Sequence, residues 1–331
     1  MIIEERAYAR AGLLGNPSDG YFGKTISIAI KNFGAKVTLY ESPELRIEAD
    51  PEDVNTFPNL TTMLERIELH GYYGGERLIK ASIKKFSEYC GINGQPLQNK
   101  NFTIRYRSTI PRQVGMAGSS AIITATLSAL MKFYKVDIPK EVLPTLILNV
   151  EVEELGINAG LQDRVIQVYG GCVYMDFEEE NFKKVNHGTY EPLNPHFSKN
   201  LFIAYKEELG KVSGAVLNDI YVRYHQGEAL VVDTLAEIAE LARQGRQNII
   251  DNNIRELNKL INRNFDLRRK IMNISEDNLA MVETARACGA SAKFAGSGGS
   301  IVGLYKNEAA LTKLISQMKR IKVRVIKPIL S

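Results

Sequence analysis

The chain has 331 residues, of which 44% are hydrophobic and 24% are charged, and its formal net charge is +4. This composition is typical of a folded globular protein long enough for about two domains, and it excludes a disordered chain. The strongest basic cluster, Arg268-Arg269-Lys270, is too short to indicate a nucleic-acid surface and suits an anionic small molecule as well. We therefore expect no nucleic-acid partner.

The cysteines and the apolar runs indicate the compartment. Cys90, Cys172 and Cys288 form no CxxC pair, which favours a reducing compartment over a disulfide framework or a structural zinc site. Residues 1–10 lack the apolar stretch of a signal peptide, and no apolar run is long enough to span a bilayer. We expect a cytoplasmic protein that does not bind a membrane.

The first hundred residues are predicted to contain three strands and one helix. Residues 9–15 form a short apolar strand, and the alternating apolar positions of 26–30 and 37–39 predict two separate strands. The region 41–59 is charged and contains proline, so it is expected to be irregular. Apolar residues at helical spacing over 78–86 predict a helix.

A strand, a loop of small residues and a helix follow one another in the middle of the chain. Alternation over 102–106 predicts a half-buried strand, and an apolar stripe over 123–134 predicts a helix. The loop between them reads Pro111-Arg112-Gln113-Val114-Gly115-Met116-Ala117-Gly118-Ser119-Ser120-Ala121.

The composition of this loop predicts a phosphate-binding site. Gly115 and Gly118 can adopt positive φ without a Cβ clash. Ser119 and Ser120 are expected to cap the following helix, so that its free N–H groups point into the loop. Backbone N–H groups at a helix N-terminus bind anions.

A domain boundary is expected after the middle of the chain. Residues 142–155 predict a further helix. The stretch 178–199 is charged and carries two prolines, which is typical of a connection. The sequence therefore predicts one domain over residues 1–190 and a second over residues 191–331.

The second half alternates helices and strands. Their order predicts a split βαβ layout, an α+β sandwich with helices on one face of a sheet. The predicted segments are helices over 229–243, 254–272, 279–285 and 311–318, and strands over 293–295, 301–305 and 323–326.

Three motifs occur in an order that resembles the GHMP kinases. They lie at residues 10–19, 111–121 and 293–299, and the ordered triplet is far more specific than any single motif. One departure is Ala117, which stands where the central motif usually has glycine. Alanine is tolerable there if φ is negative.

The resemblance implies a fold and a reaction. The fold would be α+β, with an N-terminal domain like the second domain of ribosomal protein S5, a ferredoxin-like C-terminal domain, and the site between them. Segments such as 160–165 and 264–269 resemble the glucuronokinases, which phosphorylate the anomeric hydroxyl of glucuronic acid. ATP and Mg²⁺ are the implied cofactors, and a sugar or uronic acid is the implied substrate.

The resemblance also implies catalytic and metal-binding residues. Asp163 would take the proton from the sugar hydroxyl, with Arg10 beside it to stabilise developing charge. A helix cap and a strand-edge salt bridge are the structural alternatives for these two residues. Mg²⁺ needs hard oxygen ligands, and Ser119 or Ser120 together with Glu151 would supply them, unless Glu151 belongs to a solvated helix end.

The remaining assignments concern the nucleotide base and the sugar. Asp19 would bind sugar hydroxyls, and Gly296, Ser297 and Gly298 of the third motif would approach the substrate and support the phosphate loop. Tyr73 would form a wall of the adenine pocket.

A uronic acid requires a cation for its carboxylate, and arginine suits this role through bidentate pairing. Arg112, Arg268 and Arg269 are candidates in no firm order, and a solvated helix face is the alternative for Arg268 and Arg269. A heptose-phosphate, galactose or fucose 1-kinase is the competing enzyme, and a non-catalytic nucleotide or sugar sensor is the competing class. The sequence leaves the oligomeric state open.

Overall fold

Two β-sheets carry the fold, which we describe from a computed structural model. The structure describes residues 2–48, 50, 53, 59–61, 74–207 and 214–330. The strands are β1 (Ile2–Leu14), β2 (Lys24–Glu41), β3 (Arg46–Glu48), β4 (Phe102–Ser108), β5 (Cys172–Asp176), β6 (Thr189–Leu193), β7 (Leu201–Lys206), β8 (Lys293–Phe294), β9 (Ser300–Leu304) and β10 (Val323–Ile326).

Helices pack on both sheets. They are α1 (Gly75–Ile92), α2 (Gly118–Tyr134), α3 (Leu143–Asn149), α4 (Gln162–Tyr169), α5 (Glu179–Val185), α6 (Gly214–His225), α7 (Ala229–Ile250), α8 (Ile254–Ile271), α9 (Glu276–Ala287) and α10 (Glu308–Arg320). One π-helical turn (Val150–Glu154) continues α3, and two 3-10 turns span Ser18–Tyr21 and His196–Asn200.

Strand β2 is the central strand of the first sheet, whose order is β3-β4-β2-β5-β6 with β1 also paired to β2. It runs unbroken for 18 residues, so the prediction of two separate strands was wrong. Tyr8 pairs with Gly34 while the next residue, Ala9, pairs with Ile30. The turn-like residues between Ile30 and Gly34 are therefore absorbed as a bulge, which the local sequence did not distinguish from a turn.

The second sheet has the order β10-β7-β9-β8 with antiparallel neighbours. Numbered within the sheet this is 4-1-3-2, the arrangement of a split βαβ, ferredoxin-like unit. The predicted α+β class is thereby confirmed, although β7 itself was not predicted. The predicted boundary between residues 190 and 191 falls inside β6 of the first sheet, and the division into two domains stays a prediction.

One hydrophobic cluster joins the two sheets. It contains Leu13 and Ile28 of the first sheet, Ile203 and Val302 of the second, and Ile261 of α8. A second cluster lies between the second sheet and helices α9 and α10. The two sheets therefore share one hydrophobic core.

The C-terminal segment returns to the first sheet. Leu330 forms a β-bridge with Ile30. The backbone N–H of Lys31 donates to the carbonyl of Ile329 at 2.8 Å, and the N–H of Ile329 donates to Oδ1 of Asn32 at 2.7 Å. Residues after β10 are thus bound to the middle of β2.

Two observations bear on the expectations about compartment. In the described part of the chain, no helix combines the length and the apolar character needed to cross a membrane. Cys90, Cys172 and Cys288 are buried as free thiols, so they serve as small core residues.

Candidate active site

The guanidinium of Arg10 brings the three motifs together. Its Nε and Nη2 lie 2.7 and 2.6 Å from Oδ1 of Asp163. Its Nη1 donates to the carbonyls of Gly115 at 3.0 Å and Ala295 at 2.7 Å. The predicted pair therefore lies directly against the phosphate loop and the third motif.

Asp163 is held in the first turn of α4. The free N–H groups of a first turn favour a carboxylate. Arg10 binds Oδ1, while Oδ2 lies 3.4 Å from Nη1 of Arg164. The Asp163 side chain keeps 15% of its surface exposed. The carboxylate is consequently oriented by arginines and still open to a substrate.

Every second residue in the middle of the phosphate loop has a left-handed backbone conformation. Gln113, Gly115 and Ala117 have φ of +58°, +68° and +63°. Helix α2 starts at Gly118, and no side chain caps it. Successive backbone N–H groups in such a turn form a concave anion site, and the uncapped N–H groups of the first helical turn add to it.

Two expectations about this loop were wrong. The structure places Ala117 in the left-handed region, where a side chain costs about 1–2 kcal/mol, whereas tolerance of alanine was argued from negative φ. Ser119 and Ser120 lie inside the first turn instead of capping it. Among the other residues assigned to the nucleotide, Met116 and Ala121 are buried in the loop and Pro111 is half-buried, while Tyr73 lies outside the described residues.

The third motif supports the back of the phosphate loop through backbone contact. A Cβ on Gly296 would lie 2.1 Å from the carbonyl oxygen of Gly115, and one on Gly115 would lie 2.8 Å from that of Gly298. Half-buried Ser297 also faces Gly115, and Ser300 Oγ donates to the carbonyl of Val114 at 2.6 Å. Only glycines allow the two loops to approach this closely.

Asp19 lies next to the catalytic pair. Its Oδ2 and Oδ1 accept hydrogen bonds from the backbone and side chain of Gln162 at 3.2 and 3.0 Å. Burial, followed by the charge of Asp163, raises the pKa of Asp19 to about 6, although the Gln162 N–H and Arg10 oppose this shift. The predicted sugar-binding aspartate therefore adjoins the predicted base.

Glu151 and Ser119, the two predicted metal ligands, are in contact. Ser119 Oγ donates to Oε1 of Glu151 at 2.7 Å, and Arg164 forms an ion pair with Oε2. Glu151 is buried, so the alternative of a solvated helix end is wrong for it. Glu153 and Glu154 instead pair with surface lysines. The described residues contain no group of three or more His, Cys, Asp or Glu arranged to hold a metal.

The structure separates the three candidate arginines. Arg268 is buried, and its Nη1 donates to the carbonyl of Gly296 at 2.9 Å. Arg269 is exposed, so the alternative interpretation, a solvated helix face, holds for Arg269 and not for Arg268. Arg112 lies at the start of the phosphate loop, where its Nη2 is 3.6 Å from Oδ1 of Asp53.

Two buried cations of the site received no individual role from the sequence, although Lys293 opens the third motif, which was predicted to support the phosphate loop. Lys293 Nζ donates to the carbonyls of Gly12 and Phe294 at 2.7 and 2.9 Å and to Asn16 Oδ1. Burial holds the pKa of Lys293 well below its ordinary value, with Arg268 and Arg10 adding to the shift. Burial also lowers the pKa of Arg164 to about 9.

A sequence signal was available for Arg268. Ile261, Asn264, Phe265 and Arg268 lie at the i, i+3, i+4 and i+7 spacing of a buried helix face. A charge on such a face is rarely buried without a role.

Comparisons with known proteins agree with this geometry. The family described as GHMP kinases N terminal domain matches residues 77–171, and GHMP kinases C terminal matches residues 238–323. The chain is 44% identical to the probable glucuronokinase 2 of Arabidopsis thaliana, covering 99% of this chain and 91% of that protein. Identity to glucuronokinase 1 of the same organism is 42%, with 95% and 88% covered.

A solved structure shows the same fold at low sequence identity. The crystal structure of Streptococcus pneumoniae phosphomevalonate kinase in complex with phosphomevalonate and AMPPNP has a TM-score of 0.76 and 15% identity, with 98% of both chains covered.

The chain belongs to the GHMP kinases, because both family models match it and its glucuronokinase relative is 44% identical. Its two sheets and three converging motifs agree with this assignment. Within that family it is an ATP-dependent sugar 1-kinase, because it resembles two glucuronokinases along nearly its full length. The family and the class of enzyme predicted from the sequence are thus confirmed.

Replacing Gly115 by alanine should loosen the contact between the two loops. The new Cβ would meet the Gly298 carbonyl in a backbone with φ +68°. We expect Gly115→Ala to lower the free energy of unfolding by about 2–4 kcal/mol, measured by urea denaturation. Gly118→Ala is the control, because the nearest atom to its Cβ would be 3.7 Å away. Equal stability of the two variants would contradict the packing described here.

Asp19 should make stability depend on pH. Its folded pKa of about 6 exceeds the ordinary 3.8, so between these values the folded protein binds more protons than the unfolded chain. Stability from Asp19 therefore falls as pH rises through that window. Relative to wild type, the free energy of unfolding of Asp19→Asn should rise by up to about 3 kcal/mol between pH 4 and pH 7.

Urea denaturation across this pH range measures the effect. Asp277→Asn is the control, because the Asp277 side chain is 85% exposed. A difference between Asp19→Asn and wild type that stays constant with pH would refute the shifted pKa.

Proposed function

We propose that the chain transfers the γ-phosphoryl group of ATP to the anomeric hydroxyl of D-glucuronic acid, giving glucuronic acid 1-phosphate and ADP. The observation that carries the proposal is the contact of the Arg10–Asp163 pair with the carbonyl of Gly115 in the phosphate loop. The glucuronokinase relatives support the choice of sugar.

Asp163 accepts the proton of the anomeric hydroxyl in this proposal. The freed oxygen bonds to the γ-phosphorus, and the bond from that phosphorus to the bridging oxygen of ADP breaks. The transition state of phosphoryl transfer is loose and anionic, so most of the catalysis is positioning and charge stabilisation. Arg10 serves both, because it orients Asp163 and places a positive charge beside the transferring group.

The phosphate loop holds the nucleotide. The backbone N–H groups after Gly115 and at the start of α2 bind the phosphate oxygens. Ser119 and Glu151 would hold Mg²⁺, since a hydroxyl and a carboxylate in contact are ligands of the hard-oxygen type. The ion would neutralise phosphate charge. Arg164 keeps Glu151 oriented from the other side.

The charge balance around the site supports an anionic sugar. Three buried arginines lie at the site, and positive charge at a site attracts anions. They are Arg10, Arg164 and Arg268, and of these only Arg268 forms no ion pair with a described acid.

Removal of the base should abolish turnover and preserve nucleotide binding. We expect Asp163→Asn to lower kcat by about 10²–10⁴-fold, the usual contribution of general base catalysis, because the amide keeps the shape but accepts no proton. The Kd for ATP, measured by calorimetry, should change little. Asp266→Asn on the surface of α8 is the control. Near-normal turnover of Asp163→Asn would remove Asp163 from the mechanism.

The choice of sugar is tested by a coupled assay of ADP release. We expect kcat/KM for glucuronic acid to exceed that for glucose by about 10–100-fold, the value of a charge-assisted hydrogen bond. Galacturonic acid, galactose, fucose and a heptose phosphate complete the panel. Preference for any neutral sugar or for the heptose phosphate would overturn the assignment to glucuronic acid while leaving the kinase class intact.

A further inference from the structure

Arg268 is a buried guanidinium with unused hydrogen-bond donors. It is 1% exposed. Its Nη1 donates to the carbonyl of Gly296, its Nε contacts Met272 Sδ at 3.3 Å, and its guanidinium lies 5.3 Å from the ring centre of Phe294. Arginine has five N–H donors, and Nη2 makes no hydrogen bond within the described part of the chain.

The other buried cations of the site already have acceptors, although the Nε of Arg164 has no hydrogen-bond partner in the described part of the chain. Arg10 pairs with Asp163, and Arg164 pairs with Glu151. All three N–H donors of Lys293 point at neutral oxygens. Of the three arginines, only Arg268 forms no ion pair with a described acid. A buried charge without a counter-charge is costly, and an incoming carboxylate would offset that cost.

The position of Arg268 relative to the catalytic pair is fixed by the third motif. Arg10 donates to the carbonyl of Ala295, and Arg268 donates to the carbonyl of the next residue, Gly296. The two guanidinium groups therefore bind the carbonyls of two consecutive residues. Burial and then the nearby charge of Arg10 lower the pKa of Arg268 to about 10, while Asp19 opposes the shift. The side chain remains positive at neutral pH.

We propose that Arg268 binds the carboxylate of the uronic acid and thereby selects acidic over neutral sugars. This inference rests on the proposed function of the site. In the pyranose ring, the carbon that bears the carboxylate group and the anomeric carbon flank the same ring oxygen. A sugar whose carboxylate meets Arg268 and whose hydroxyls meet Asp19 can then present its anomeric hydroxyl to Asp163.

The experiment removes the charge from each partner in turn. The assay compares kcat/KM for glucuronic acid with that for glucuronamide, in which a neutral amide replaces the carboxylate, in wild type and in Arg268→Gln. Such a cycle isolates the interaction between the two groups from any general loss of activity. Arg269→Gln is the matched control, because Arg269 is the neighbouring and exposed arginine of the same helix.

Wild type should prefer glucuronic acid over glucuronamide by roughly 10–100-fold. In Arg268→Gln the preference should shrink to within about 3-fold, with an unchanged Kd for ATP, whereas Arg269→Gln should keep it. If Arg268→Gln does not fold, the same ratio is measured in Arg268→Lys. Its preference for glucuronic acid over glucuronamide should fall, because the point charge of lysine cannot pair with a carboxylate in a bidentate manner.

The outcomes separate this inference from the proposed function. Failure of wild type to phosphorylate glucuronic acid would overturn the proposed function. Turnover of glucuronic acid with a preference that survives in Arg268→Gln would leave that function intact and overturn the role of Arg268. An equal loss of activity with both sugars in Arg268→Gln would likewise assign Arg268 to structure alone.

Discussion

The bonding of Arg10 is the constraint on which the site depends. One planar guanidinium contacts a carboxylate of α4, a carbonyl of the phosphate loop and a carbonyl of the third motif. Lysine could not reproduce this set, because its ammonium is a point donor without the fixed fork of arginine. Since a buried cation requires these acceptors, the position of the base and the position of the phosphates are determined together.

Close backbone contact complements this ionic contact. The phosphate loop and the third motif touch through Gly115 and Gly296 with no side chain between them. The loop can therefore keep its N–H groups directed at an anion while its carbonyls face Arg10. This arrangement depends on the packing of two loops that lie far apart in sequence.

The local sequence revealed the motifs, and long-range contacts decided the details. The small residues of the phosphate loop predicted an anion site without reference to the rest of the chain. The left-handed backbone of Ala117 could not be predicted locally, because the carbonyl of Ala117 accepts a hydrogen bond at 2.9 Å from Gln167, fifty positions later. Arg268 and Arg269 look alike in sequence, yet one is buried and the other exposed. Their difference follows from the helical period, which places Arg268 with Phe265 on the apolar stripe.

The continuity of β2 was missed for a similar reason. A bulge and a turn have the same composition, and the choice between them depends on the partner strand. The burial of Lys293 likewise depends on acceptors from Gly12 and Asn16, which are almost three hundred positions earlier.

The return of the C-terminal segment to β2 bears on how the chain can be dissected. The family profiles divide it into two parts, but Leu330 and Ile329 are bound to the first sheet and Ile261 packs in the same cluster as Leu13. Cleavage between the sheets would strip apolar cover and hydrogen-bond partners from both fragments. We therefore expect the two halves of the chain to unfold together as one cooperative unit.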